Sequence, residues 1–470
     1  MSMSKRRWER QKHLWINAAE IVTPPGHPFY ERLNQLLDAQ GFDRFVEEQC
    51  ASFYAERRGR PSIPPGVYFR MLLIGYFEGI DSERGIAWRC ADSLALRAFL
   101  GYGLNQTTPE HSSLSVIRSR IDVETHRVVF QWVLQVLAKS GLLKGKTIGI
   151  DATTLEANAA LRSIVRRDTD QPYDEFLQDL AKASGVESPT REDLAKIDRQ
   201  RPKKGSNQDW YNPNDPDARI TKMKDGCTHL AHKAEHAVDL DTGAVLAVTL
   251  QGADQGDTTT IHVTLSETEK NLAEVEQDPQ AKEGLHSQTM EEVVTDKGYH
   301  SNETMRVLQG REIRSYVSEP RSRGRRHWKN REAEREAVYA NRRRIRGPRG
   351  KRLLRKRGEL LERPFAHCYE TGGMRRTHLQ THARILKRLL IHVAGCNLGL
   401  VMRTLFGLGT PRGLQGLVFD WLEGLVQLVQ WFWRADTAVR HPLRALHPSW
   451  RWSPPSTSRS ARFVISSTDC

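Results

Sequence analysis

The hydrophobic period of the chain changes at Lys146, and that change divides what can fold on either side of it. From about residue 28 to residue 145, apolar residues return every three or four positions, as in FYERLNQLLDAQGFDRFVEEQC, VYFRMLLIGYFEGI and HRVVFQWVLQVLAKSGLL. This is the spacing of helices that bury one stripe. GRPSIPPG at 59–66 is a turn, the segment at 108–113 starts a helix ahead of SLSVIRSRI, and Gly141 closes the last one. From Lys146 the pattern is that of strands. KTIGIDATTLEAN carries a β-branched apolar run, and HKAEHAVDL and AVLAVTLQG flank Asp241-Thr242-Gly243, a hairpin-type turn. A helical segment at about 260–273 precedes EEVVTDKGYH, and REIRSYVSEP is a further strand stopped by Pro320.

With the polar stretch at about 162–224 set aside, residues 146–400 read strand, strand, strand, helix, strand, strand, helix. In that order Asp151 ends the first strand, Asp296 ends the fourth, and Glu362 sits on the first helix after the last strand. Acids at strand ends gather at the rim of an α/β sheet, where ligands collect. Three of them suit hard cations such as Mg²⁺ or Mn²⁺. Glu359, one turn before Glu362, stays open as the third acid. Asp257, in GADQGD, reads as a structural or supporting acid.

The 470 residues carry a formal net charge of +14 and a pI near 9.6, so an acidic partner is expected, nucleic acid first among them. Arg and Lys dominate 321–357, as in NRRRIRGPRGKRLLRKR, and are expected to meet phosphates. Within it, Trp328 either stacks on a base or packs internally, and Trp210 and Tyr211 in the polar stretch are equally open. Six scattered cysteines form no CxxC, which argues against a zinc ribbon and for reduced, buried thiols. The start, MSMSKRRWERQKHLW, has no apolar run of a signal peptide. The apolar stretches at 389–408 and 414–433, the second carrying Trp431 and Trp433, are broken by charges. They are expected to be core or interface helices, not membrane spans.

IGIDATTLEAN, VVTDKGYHS and RGELLERPFAH, followed by GGMRRTHLQ and Asn397-Leu398, resemble the DDE transposases of bacterial insertion sequences. FYERLN, GRPSIPPGVYFRMLLIGYFEGI and SERGIAWRCADSLALRAFLG resemble the helical leader of the same family, so the likeness covers roughly residues 28–402. The resemblance implies a ribonuclease H-like mixed-sheet catalytic core behind an all-helical N-terminal domain, an α/β chain overall. It implies a DNA-binding and dimerisation domain at 1–145 and a catalytic domain at 146–408, with the polar insertion at about 162–224. A C-terminal helix at 409–440 and a disordered tail at 441–470 complete the expected organisation.

By the same resemblance Asp151, Asp296 and Glu362 are the catalytic acids and hold two Mg²⁺ or Mn²⁺ ions. Lys297, His300, Arg355, Arg357, Arg363, Arg375 and Arg376 are the candidate DNA contacts, although His300 reads equally as a proton-transfer aid or a solvated loop histidine. Many relatives set a Tyr, an Arg and a Lys at fixed intervals about the catalytic Glu. Here Tyr339 is far upstream, Gly358 stands four residues before Glu362, and Tyr369 seven after. Arg355, Arg357 or Arg363 then takes the phosphate-binding part. The implied partners are double-stranded DNA, at element ends and target, and a second copy of the chain in a dimer or larger assembly. A bacterial cytoplasm, at the nucleoid, is the expected location. A ribonuclease H-like nuclease and a non-catalytic DNA-binding descendant are the alternatives.

Overall fold

The computed structural model describes residues 26–55, 62–200, 205–223, 225–321 and 327–413. The expectations for the C-terminal helix from residue 414 onward, for the tail and for Trp431 and Trp433 lie outside the described residues.

Seven helices open the described chain: α1 (Pro28–Ala39), α2 (Phe42–Cys50), α3 (Pro65–Glu78), α4 (Glu83–Asp92), α5 (Leu94–Phe99), α6 (His111–Arg120) and α7 (Val123–Lys139). FYERLNQLLDAQGFDRFVEEQC thus forms two helices rather than one, because Gly41 takes a φ of 67° between them. In α7 the Asp122 carboxylate accepts from Thr125 N–H at the start, Lys139 lies in the last turn, and Gly141 turns the chain away with φ 71°.

The period change at Lys146 begins β1 (Thr147–Glu156). Next come β2 (Val165–Arg166), α8 (Tyr173–Ala183), α9 (Arg191–Gln200), β3 (Trp210–Tyr211) and β4 (Arg219–Lys222). The polar stretch therefore holds structure of its own. Trp210 is buried against Tyr173 and Phe176, which settles it as a packing residue of a small satellite core. β5 (Thr228–Asp239) and β6 (Val245–Gly252) then form the expected hairpin, with Gly243 at φ 83° in the turn. α10 (Asp257–Gln277), α11 (Pro279–Gly284), β7 (Glu292–Thr295), α12 (Asn302–Gly310) and β8 (Arg314–Val317) complete the sheet and its connections. The Arg-rich run is helical: α13 (Glu332–Arg346) and α14 (Pro348–Phe365) occupy it, and α15 (His382–Phe406) follows.

The strands lie in the order β6, β5, β1, β7, β8, with the short β4 also pairing along β5. β6, β5 and β1 are antiparallel neighbours, whereas β1–β7 and β7–β8 are parallel. That mixed order is the ribonuclease H-like sheet expected from the sequence. Asp151 pairs opposite His236 and Ala152 opposite Glu235, so Asp151 and His236 point to one face and Glu235 to the other. α14 covers the first face, where Leu361 packs at Gly149, and α10 covers the second, where Thr260 and Thr264 meet Glu235.

Two placements differ from expectation. β1 runs five residues past Asp151, because Ala152–Glu156 continue to pair with β5 as far as Ala231. Asp151 is thus inside the strand and not at its end. Glu362 lies on the second helix after β8, since α13 intervenes; alternating acids and arginines hid a helix that buries little more than Ala337, Val338 and Asn341. α15 is long and apolar enough to cross a membrane. Its buried residues instead join one core with α3, α7 and the sheet, as read for 389–408. Cys50, Cys90 and Cys368 are buried free thiols, while Cys227 is exposed, against expectation.

Candidate active site

β1 and β7 run parallel with Gly149 beside Val294, so continuing that register brings Asp151 level with Asp296 one residue beyond β7. The two carboxylates repel. Burial pushes the Asp151 carboxyl up and the charge of Asp296 adds to the rise, while Arg357 and the Ala152 N–H oppose it. Arg357 Nη1 donates to Asp151 Oδ2 at 2.8 Å from the sheet-facing side of α14. Asp296 accepts from Gly298 N–H at 2.8 Å and so caps the turn Lys297–Tyr299.

The candidate third acid, Glu362, is carried by α14. At roughly 100° per residue, Lys356, Leu360 and Arg363 fall on one flank of the Arg357 line, and Glu362 with Arg355 falls on the other. The first flank meets the β5–β6 turn: Lys356 reaches Asp241 at 3.3 Å, and Leu360 and Arg363 share a cavity lining with Thr242 and Gly243. That turn lies at the start of β1, because Ile148 pairs with Asp239. Glu362 is therefore turned away from the flank that meets the β5–β6 turn, on the exposed side of α14. Glu362 is exposed and has no ion-pair partner among the described residues, whereas Glu359 is paired with Arg363.

Beside Asp151, His236 Nε2 and the Tyr369 hydroxyl share a hydrogen bond of 2.6 Å, and Phe365 stacks edge-on to the imidazole at 4.9 Å. Burial pushes His236 down to about 3, so it stays neutral and supports Tyr369 rather than carrying charge. Tyr369 lies in the wide turn Ala366–Thr371 that follows Pro364, whose missing N–H ends the regular helix.

The candidate DNA contacts divide by what already holds them. Lys297 and Arg355 are exposed, and neither has an ion-pair partner among the described residues. His300 follows the Asp296 turn and is half-buried. Arg363 is paired with Glu359, and Arg376 lies 3.7 Å from Glu156. Arg375 donates to Thr153 Oγ1 at 3.0 Å and Thr154 O at 3.2 Å, and also pairs with Glu370. It pins the segment after α14 to β1. In the Arg-rich run, Arg342 is held by Glu319, Arg344 by Ser315 and Arg349 by Glu292. Trp328 packs near Tyr339 with rings 6.2 Å apart.

Residues 17–120 match the family model described as a transposase domain, and residues 196–398 match the one described as a transposase DDE domain. The chain belongs to the DDE transposases of insertion sequences. No curated protein and no solved structure matches it. In this transposase the DDE match contains Asp296 and Glu362 but begins after Asp151, and the register of β1 against β7 is what brings Asp151 beside Asp296. Sequence reading passed over Lys233 and Glu235, which are buried charges in the HKAEHAVD run. Charged residues at alternate positions of a strand covered on both faces were the available signal.

Proposed function

We propose that this transposase binds the ends of its element, cleaves DNA strands there and joins the 3′-hydroxyl ends to target DNA. In this reading Asp151, Asp296 and Glu362 hold two Mg²⁺ or Mn²⁺ ions. The observation that carries it is the half-buried Asp151 carboxylate, pushed up by burial and by Asp296 and neutralised only in part by Arg357. Such a donor set, all oxygen and short of positive charge, fits hard divalent cations. When bound, a metal pair activates the attacking oxygen and stabilises the departing one in an in-line displacement at phosphorus.

The chain's own residues supply the rest. Arg357 stands where it holds Asp151 in place or turns to a phosphate oxygen, since a guanidinium suits either anion. Lys297, His300, Arg355, Arg363 and Arg376 serve as phosphate contacts, Arg363 from the flank of α14 that meets the β5–β6 turn, whereas Arg375 acts by fixing β1. Residues 1–145 act in end recognition and pairing, residues 146–408 carry the chemistry, and two DNA ends call for a dimer or larger assembly. The site of action is the bacterial cytoplasm, on double-stranded DNA.

The test is cleavage and joining of a labelled element-end duplex with Mg²⁺ or Mn²⁺. Asp151→Asn and Asp296→Asn are expected to bind the duplex and lose cutting by at least about 100-fold. Cutting equal to the wild type in either variant sinks the assignment. Cutting without joining in the wild type favours a nuclease instead.

A further inference from the structure

On the face of the sheet opposite Arg357, β5 carries two buried charges, Lys233 and Glu235. Lys233 Nζ donates to Asp257 Oδ1 at 2.5 Å, to Thr260 Oγ1 at 2.9 Å and to Gln255 O at 3.2 Å. The Thr260 hydroxyl passes the chain of bonds on, donating to Glu235 Oε1 at 2.9 Å. Glu235 also accepts from Thr264 and, at 2.7 Å, from the Tyr299 hydroxyl. Burial pushes Glu235 up, but those three hydroxyl donors and Lys233 oppose the rise.

Both ends of this network meet the turn that follows Asp296. Tyr299 is its third residue, buried and tied to Glu235. Gly298 is its second, and the free oxygen of Asp257 lies against it. A methyl group at Gly298 would sit 2.3 Å from Asp257 Oδ2 and 3.1 Å from Asp296 Oδ1. A side chain there would force the Asp257 carboxylate to shift from the position Lys233 holds it in. The turn is held at Tyr299 by a hydrogen bond and at Gly298 by contact with an acid that Lys233 keeps in place.

We propose that Lys233, Asp257 and Glu235 are positioning residues for Asp296: a strut from β5 through the start of α10 that fixes where the Asp296 carboxylate stands. The proposal rests on the reading of Asp296 as a cation ligand. Asp257 acts here through its shape and its bond to Lys233, not as a further ligand. A ligand held from behind by a satisfied polar network keeps its orientation without rearranging when a cation arrives.

The experiment is calorimetric titration of Mn²⁺ into the full-length protein, with Asp296→Asn as the control and circular dichroism to confirm folding. Gly298→Ala is expected to weaken Mn²⁺ binding by about 10- to 100-fold. Asp257→Ala, alone or added to Gly298→Ala, removes the carboxylate that backs the turn and is expected to weaken Mn²⁺ binding about as far as Gly298→Ala does. Asp257→Asn keeps the shape and a hydrogen bond to Lys233, so its affinity stays within a few-fold of the wild type.

If Asp296→Asn binds Mn²⁺ as the wild type does, the metal reading fails and the strut with it. If Asp296→Asn loses binding, three results overturn the strut alone. One is a Gly298→Ala variant with unchanged affinity. Another is an Asp257→Ala variant that binds Mn²⁺ as the wild type does. The last is an Asp257→Asn loss as deep as that of Asp296→Asn, which makes Asp257 a ligand itself and decides the matter even where Gly298→Ala does not fold.

Discussion

Glu359 and Glu362 are three residues apart on α14 and have opposite circumstances. Glu359 is tied to Arg363 one turn on, both largely exposed, in a pair that contributes little to stability. Glu362 is exposed and has no ion-pair partner among the described residues. Glu362→Gln is therefore expected to cut cleavage of an element-end duplex by at least about 100-fold while leaving DNA affinity intact. Glu359→Gln is expected to stay within about three-fold of the wild type. Steady-state cleavage by the two variants side by side checks this, and the reverse ranking makes Glu359 the third acid. Asp151 and Asp296 were legible because an acid beside an apolar β-branched run is a conspicuous local pattern. The third acid could be read only as Glu362 with Glu359 as its rival, because two acids one turn apart differ in angle about the helix axis and not in local composition. Lys233 and Glu235 were not singled out, since what they do depends on Tyr299 and Thr260 from other elements.

At the scale of elements, the sheet was readable and the helices over it were less so. Strand after strand emerged from its β-branched runs, and the β5–β6 turn from Asp-Thr-Gly. α13 was hidden because a helix held by ion pairs and a narrow buried stripe shows a weak apolar period. The same two helices sort the Arg-rich run. Arg342, Arg344 and Arg349 are bound within the fold, while Lys351, Arg352 and Arg355 line the solvent side of α14 near Glu362, with no ion pairs among the described residues. Replacing those three by Gln is expected to weaken duplex binding and to flatten its dependence on salt. The slope of log affinity against log salt falls by roughly 0.9 for each phosphate left without its cation, so by up to about 3. Affinity measured between low and physiological salt reads this directly. An unchanged slope moves the DNA path off α14.

Over the whole molecule one apolar core joins the N-terminal helices, the sheet and α15, and it encloses histidines that must stay neutral. Burial pushes His126 down to about 4 and His236 to about 3, and His392 lies well below its ordinary value, also through burial. An unfolded chain protonates its histidines near pH 6.5. Below that pH the unfolded state binds protons that the folded state refuses until about pH 4, so the stability these groups contribute is full above pH 6.5 and lost on the way down. Buried carboxyls pushed up by burial, such as Glu83, Glu235 and Asp239, work in the opposite direction. The net slope is therefore less than three protons would give, and single variants are needed to separate the histidine part. Urea midpoints for the wild type are expected to fall between pH 7 and pH 5. His126→Gln, which keeps a partner for the Tyr68 hydroxyl at 3.1 Å, is expected to flatten that fall by up to about 1.4 kcal/mol per pH unit. A midpoint as acid-sensitive in His126→Gln as in the wild type would show that His126 takes up its proton in the folded state, and that the core about Tyr68 is wetter than its packing implies.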